Sequence, residues 1–345
     1  MVSKFLRVLP VASLAAAAFA SSQADATLLL RAGFQNAAMS IDACGITPDP
    51  TCTVQTNVPA GSTVLAAYLY SADIFGSGLG DVSLNGTNYT VASGTQLTPN
   101  TNPANSIVWN VTSQMKPLIE GGGFGLQNQT VTESQDMDGE ILVVVYSNAS
   151  TAGQSVALLD GELAQGGDTT TVNFASPYTG GNFLMSLGIS FGFQPTGQVS
   201  LVDVTTNSTA SRRLTSCAGG QDDGQGADGA LITAGGIGDS SANPEPTCSG
   251  SDAASPRQDD ELYDLSQGNS ANADPFIHNG DTFLQLDTSN PSFDDNVFFL
   301  AIQSGFTLSS VDQNPIGPSA PEPATAALLG LGLLGLARLR RKRAS

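Results

Sequence analysis

A single histidine, His278 in "DPFIHNGDTF", stands in this sequence of 345 residues, and it sets the first limit on the available chemistry. A Ser-His-Asp hydrolase would have to use it, and the chain offers no strand–Gly-x-Ser-x-Gly–helix elbow to present the nucleophile. His278 therefore reads as a turn residue ahead of a strand. Carboxylates are plentiful: Asp259-Asp260-Glu261 and Asp294-Asp295 have the residue types of a glycosidase acid and base. Adjacent strand residues point to opposite faces, so neither run is by itself a matched pair. "GGGFG" at Gly121–Gly125 has no helix after it and no lysine, and is not a phosphate cradle. The sequence reads as non-enzymatic.

Calcium is the better-founded site chemistry. Asp136 and Asp138, with Gly139, in "DMDGE" supply hard oxygens beside a flexible glycine, as do Asp222, Asp223 and Asp228 in "QDDGQGADG". Neither stretch has the twelve-residue EF-hand spacing, and the plain alternative is that these acids occupy turns and bond to backbone amides. The four cysteines are Cys44, Cys52, Cys217 and Cys248. An even count in an exported chain points to disulfides, and of three possible connectivities the local one is simplest, Cys44–Cys52 and Cys217–Cys248. Loop-closure entropy assigns about 2.5 kcal/mol to the short loop and about 3.5 to the long one. No C-x2-C pair and only one histidine argue against zinc.

The elements that must carry these residues are strands. "TLLLRAGF", "STVLAAYLY", "SIVWNV", "EILVVVYS", "QSVALLDGE", "TTTVNF", "FLMSLGISFGF", "QVSLVDVTT", "DTFLQLD" and "NVFFLAIQSGFTL" are short β-branched or aromatic runs. Gly, Asn, Asp, Ser and Pro clusters separate them. One short helix fits Thr112–Ile119, capped by Thr112 and limited by Pro117. Ten or more strands without alternating long helices predict an all-β fold, a two-sheet β-sandwich or jelly roll. Residues 207–281, rich in Gly, Asp, Ser and Asn, read as long acidic surface loops. Between residues 27 and 320 only five basic residues face 29 acidic ones, a net charge of −24. Such a surface repels phosphate backbones, so nucleic acid is excluded as a partner.

The two ends differ from the body. Lys4, Arg7 and "VLPVASLAAAAFA" followed by Ala24-Asp25-Ala26 read as a signal peptide over residues 1–26, with a cut after Ala20 as the near alternative. At the other end, "PEPATAALLGLGLLGLARLRRKRAS" combines a Pro-Glu-Pro triplet, a 14-residue apolar run at 324–337 and an arginine cluster. As a helix that run spans about 21 Å, short of a hydrocarbon core of roughly 30 Å, and snorkelling arginines and local thinning can close the difference. The basic end stays cytoplasmic, which leaves the body outside. Pro321 and Pro323 hold Glu322 in an extended segment at the membrane face.

This tail resembles the PEP-CTERM sorting signal of Gram-negative bacteria. The resemblance implies recognition of Pro321, Glu322 and Pro323 by a membrane-embedded exosortase, transient insertion in the inner membrane, and removal of the short transmembrane helix. It also implies a final place at the cell surface or in the exopolysaccharide matrix. The chain divides accordingly into a signal peptide (1–26), a secreted sandwich domain (27–310), a linker (311–320) and the sorting signal (321–345). The body is similar to a group of secreted bacterial β-proteins of undefined function. The likeness runs through "VPAGSTVLAAYLYSA", "DVSLNG", "WNVTSQM", "DGEILVVVYSN", "SVALLDGE", "DDELYDL" and "NPSFDDNVFFLAIQ". These are strand and turn patterns, and they support the sandwich without carrying an activity. A glycan- or partner-binding adhesin is the second expectation, and a carbohydrate-active enzyme the third.

Overall fold

Leu142, Val143, Val144 and Val145 follow one another on a single strand and all are fully buried, whereas the strand "DTTTVNF" alternates buried and half-exposed positions. Successive strand side chains point to opposite faces, so the first kind must be covered on both sides and the second on one. That distinction organises the molecule.

The computed structural model describes residues 28–45, 50–73, 78–97, 105–135, 137–162, 167–190, 200–218, 232–243, 261–291 and 296–315. They lie within one unit, Asp25–Pro318. The first ten strands are β1 (Leu28–Gln35), β2 (Ala38–Gly45), β3 (Thr51–Val58), β4 (Thr63–Asp73), β5 (Val82–Leu84), β6 (Thr87–Tyr89), β7 (Thr95–Gln96), β8 (Ser106–Asn110), β9 (Gly125–Glu133) and β10 (Met137–Ser147), with α1 (Thr112–Glu120) between β8 and β9. The rest are β11 (Ser155–Gly161), β12 (Asp168–Phe174), β13 (Phe183–Ser190), β14 (Ser200–Thr206), β15 (Arg212–Ala218), β16 (Ile232–Ala234), β17 (Leu262–Asp264), β18 (Phe283–Ser289), β19 (Asn296–Ser304) and β20 (Leu308–Pro315).

The fold is an all-β sandwich, with four antiparallel sheets where the sequence reading expected two. One inner sheet has the order β1-β11-β19-β13-β16, with β17 also on β13; the other runs β2-β10-β4-β8-β7. The outer sheets are β15-β14-β18-β12-β20 and β3-β9-β5-β6. Three apolar cores fill the spaces between successive layers. Leu159, Met185 and Ile302 meet Val172, Val204 and Leu286 of the first outer sheet. Val156, Leu158 and Phe299 meet Ile41, Val143 and Val145 between the inner sheets. Leu69, Leu142 and Trp109 meet Val54, Val131 and Leu84 of the second outer sheet, and Met115 and Ile119 of α1 join them.

β1 and β2 are one run bent at Asn36, which sits at φ 55°, a conformation asparagine tolerates better than most residues. Its amide donates to the Gln154 carbonyl at 2.7 Å, and its side chain accepts from Gly153 at 2.9 Å. The bend hands the chain from one inner sheet to the other. Thr112 does not cap α1: Val111 holds that position without a side-chain bond, and the Thr112 hydroxyl accepts from Ala67 N of β4 at 2.8 Å. The glycines from Gly121 close the helix, Gly121 N and Gly123 N each donating at 2.9 Å to Pro117 and Ile119 carbonyls.

Two expected boundaries move. β20 pairs with β12 as far as Pro315, so the first residues of the stretch read as linker belong to the body. Residues 207–281 are not surface loop throughout: they supply β15, β16 and β17 and bury Tyr263, Leu265, Phe276 and Ile277. The signal-peptide stretch, the apolar run 324–337 and the sorting triplet lie outside the described residues. Among the described residues, no helix is long and apolar enough to cross a membrane.

Candidate functional site

β2 is joined to two sheets by different means. Its backbone pairs with β10, and Ile41 and Ala43 enter the core between the inner sheets. The alternate residues reach β3 with side chains. Asn57 N donates to Ser40 Oγ at 2.8 Å, Gln55 N donates to the Asp42 carboxylate, and Cys44 is bonded to Cys52 across a Cα separation of 6.1 Å. Side-chain acceptors and a disulfide thus replace a backbone ladder, at the two-residue step that strand geometry imposes. Burial pushes the Asp42 carboxyl up to about 7, although amides of Gln55 and Ala43 oppose the rise. Cys248 and the Cys217 side chain lie outside the described residues.

Behind the disulfide sits Glu140, fully buried on β10. Burial, then the neighbouring charge of Glu133 and the hydrogen bond between the two carboxyls, hold Glu140 well above the usual carboxylate range. Burial and the like charge thus favour the protonated form of Glu140. Ser71 Oγ lies 3.2 Å from Glu140 Oε1 and 2.8 Å from the Gly139 carbonyl, while Met137 N donates to Glu133 Oε2 at 3.1 Å. Cys44, Cys52 and Glu140 form the one metal-type cluster among the described residues. With the two sulfurs joined, neither is a thiolate, and the cluster is a structural joint.

Met137–Glu140 of "DMDGE" are strand, not open loop. Asp138 is fully buried within β10, and the pairing with β4 slips between Met137 and Gly139. Gly139 has φ 140°, and a Cβ there would lie 2.1 Å from the Cys44 carbonyl oxygen. Only glycine fits. Asp136, Asp222, Asp223 and Asp228 lie outside the described residues, as do Asp259, Asp260, Asp294 and Asp295. Glu261 is buried at the start of β17 and accepts from the Tyr263 hydroxyl at 3.1 Å.

His278 lies in the turn before β18. Its Nε2 is 3.2 Å from Asp274, its Nδ1 3.4 Å from Thr209 Oγ1, and its backbone amide donates to Asp281 at 2.8 Å. Gly188-Ile189-Ser190-Phe191-Gly192 does spell a five-residue Gly-x-Ser-x-Gly pattern, but Ser190 is buried at the end of β13. Gly188 admits the Ile141 and Phe299 side chains, 2.7 and 2.8 Å from where its Cβ would stand. The spelling follows from packing. A second buried acid, Asp160, accepts from Tyr70 OH at 2.9 Å and pairs with Arg31, tying β1, β11 and β4 together. Burial raises its carboxyl against the pull of Arg31 and Tyr70.

A cleft of about 250 Å³ opens where β2, β3, β17 and the end of β10 meet. Ser40, Asn57, Tyr146 and Gln303 are its lining residues with polar side chains, and Met39 and Leu184 are among its apolar ones. Met39 N donates to the Gln303 side-chain Oε1 at 2.8 Å, and Ile237 N to the Ile41 carbonyl at 2.9 Å, so a backbone amide holds each lip. Among the described lining residues there is no carboxylate.

These features define an all-β sandwich in which the buried acids Asp42, Glu140 and Asp160 join neighbouring strands. The chain carries a PEP-CTERM protein-sorting motif over residues 319–342. The motif is an exosortase-dependent export signal, so the chain is the exported, membrane-passing precursor of an exosortase-processed protein. No curated protein matches the chain.

Proposed function

We propose that this protein is a non-enzymatic β-sandwich carried across the inner membrane of a Gram-negative bacterium, held there briefly by residues 324–337, and released by cleavage at Pro321-Glu322-Pro323. It then resides at the cell surface or in the exopolysaccharide matrix. The observation that carries this reading is the sorting motif at residues 319–342. The body supports it: a disulfide suits an oxidising compartment, and a net charge of −24 between residues 27 and 320 suits a soluble surface component. Replacing Pro321, Glu322 and Pro323 by alanine should leave a longer, membrane-bound form, and deleting Ala324–Ser345 should release soluble protein. Fractionation and mass measurement read both; a triplet variant released at normal length overturns the reading.

The cleft favours a second role, binding of a glycan or partner. Its described lining lacks the paired acids that glycoside hydrolysis needs, which supports binding over catalysis.

A further inference from the structure

We propose that the cleft between β2, β3 and β17 binds one ring of an uncharged saccharide, seated against Tyr146 and held by Ser40, Asn57 and Gln303. For its biological setting the inference rests on the second reading above; its geometry stands independently.

Spare hydrogen-bonding capacity is the first argument. Gln303 uses its Oε1 on Met39 N, and its amide nitrogen has no acceptor among the described residues. Ser40 Oγ accepts from Asn57 N, and its own proton has no described acceptor. The Asn57 side chain and the Tyr146 hydroxyl likewise have no hydrogen bond to a described residue. Four residues whose side chains can each donate, three of them also able to accept in a second direction, thus line one opening. A sugar ring carries hydroxyls that donate and accept in the same way. Beside them Met39 and Leu184 offer apolar surface for its C–H faces, and the half-buried Tyr146, which also packs on the core between β10 and β3, adds to that surface.

Charge is the second argument. The body carries 29 acids, yet no charged side chain is among the described residues lining the cleft. The nearest acid on β2, Asp42, is turned to Gln55 N of β3, and Asp239 is committed to Gly236 N at the lip. Among the described residues an anion would meet no cation here and would enter against a net negative field, and a cation would meet no carboxylate to offset its desolvation. Size is the third. A volume of about 250 Å³ lies below the roughly 300–1,000 Å³ typical of sites for drug-sized ligands, which suits a single ring and excludes a dinucleotide.

The test uses the protein as secreted by expressing cells. Glucose, galactose, mannose and N-acetylglucosamine are titrated by saturation-transfer NMR and calorimetry, with glucuronate and glucosamine as charged counterparts. At least one uncharged sugar should bind with Kd on the order of 1 mM, about tenfold more tightly than either charged sugar. Leu184→Trp, which fills the cleft, should abolish binding. Asn57→Ala, at an exposed position, and Tyr146→Phe should each weaken it by about threefold or more with unchanged melting curves. If Leu184→Trp does not fold, the Asn57 and Tyr146 variants decide. Absence of binding by every uncharged sugar, equal binding of glucuronate, or binding indifferent to these variants overturns the proposal. The C-terminus of the same preparation is weighed, so a correctly trimmed protein that binds no sugar removes the cleft reading alone.

Discussion

At the scale of single residues, Asp42 and Gly139 show how tightly β2 is fitted between its neighbours. The Asp42 carboxyl titrates near 7 in the folded chain, against 3.8 as its ordinary value. Between those two values the folded state binds the proton and the unfolded state does not. Stability contributed by this group is therefore fully present at low pH and falls as pH rises through 7. Asp42→Asn keeps an oxygen for Gln55 N and removes the titration. Its melting temperature should exceed that of the parent by roughly 3 °C or more at pH 8, and the difference should close toward pH 4. A constant difference across that range would show that Asp42 does not titrate in this window. Gly139→Ala places a methyl against the Cys44 carbonyl at a backbone angle that L-residues avoid. It should cost about 3 kcal/mol or more in urea unfolding, with chemical shift changes centred on β2 and β10. Neither residue's burden was legible in the sequence. "DMDGE" has the composition of an ion-binding turn, and the bulge that buries Asp138 depends on pairing with β2 and β4, which are distant in sequence.

At the scale of elements, all ten apolar runs picked out by pattern are strands or contain them, because β-branched runs between turn residues are a local signal. The layering was written in the same runs. "EILVVVYS" and "SVALLDG" are continuous because both faces of β10 and β11 are covered, and "DTTTVNF" alternates because one face of β12 is not. The polar strands β3 and β9, "TCTVQTNV" and "GLQNQTVTE", gave no such signal; β3 buries only Val54, Thr56 and Val58, and β9 only Gln129, Val131 and Glu133. The difference has an energetic consequence. Leu158→Ala on β11, between the inner sheets, should lower unfolding free energy by about 2–5 kcal/mol. Leu126→Ala on β9, 55% exposed, should change it by no more than about 0.5 kcal/mol. Equal losses at the two sites would contradict the four-layer arrangement.

At the scale of the whole molecule, the sorting signal and the cleft were legible to opposite degrees. The signal is linear: triplet, apolar run and arginines are read in order along residues 321–343, and their meaning needs no fold. The cleft gathers Ser40, Asn57, Tyr146, Leu184 and Gln303 from five strands, and no window of sequence holds two of its polar strands' contributions together. The central claim is that the tail addresses the body and is then removed. Intact-mass and C-terminal peptide analysis of the protein recovered from the surface or matrix of exosortase-containing cells tests it most directly. The account predicts a chain that ends at the Pro321–Pro323 triplet and lacks every residue of "RLRRKRAS". A recovered protein that still carries that terminus would contradict it.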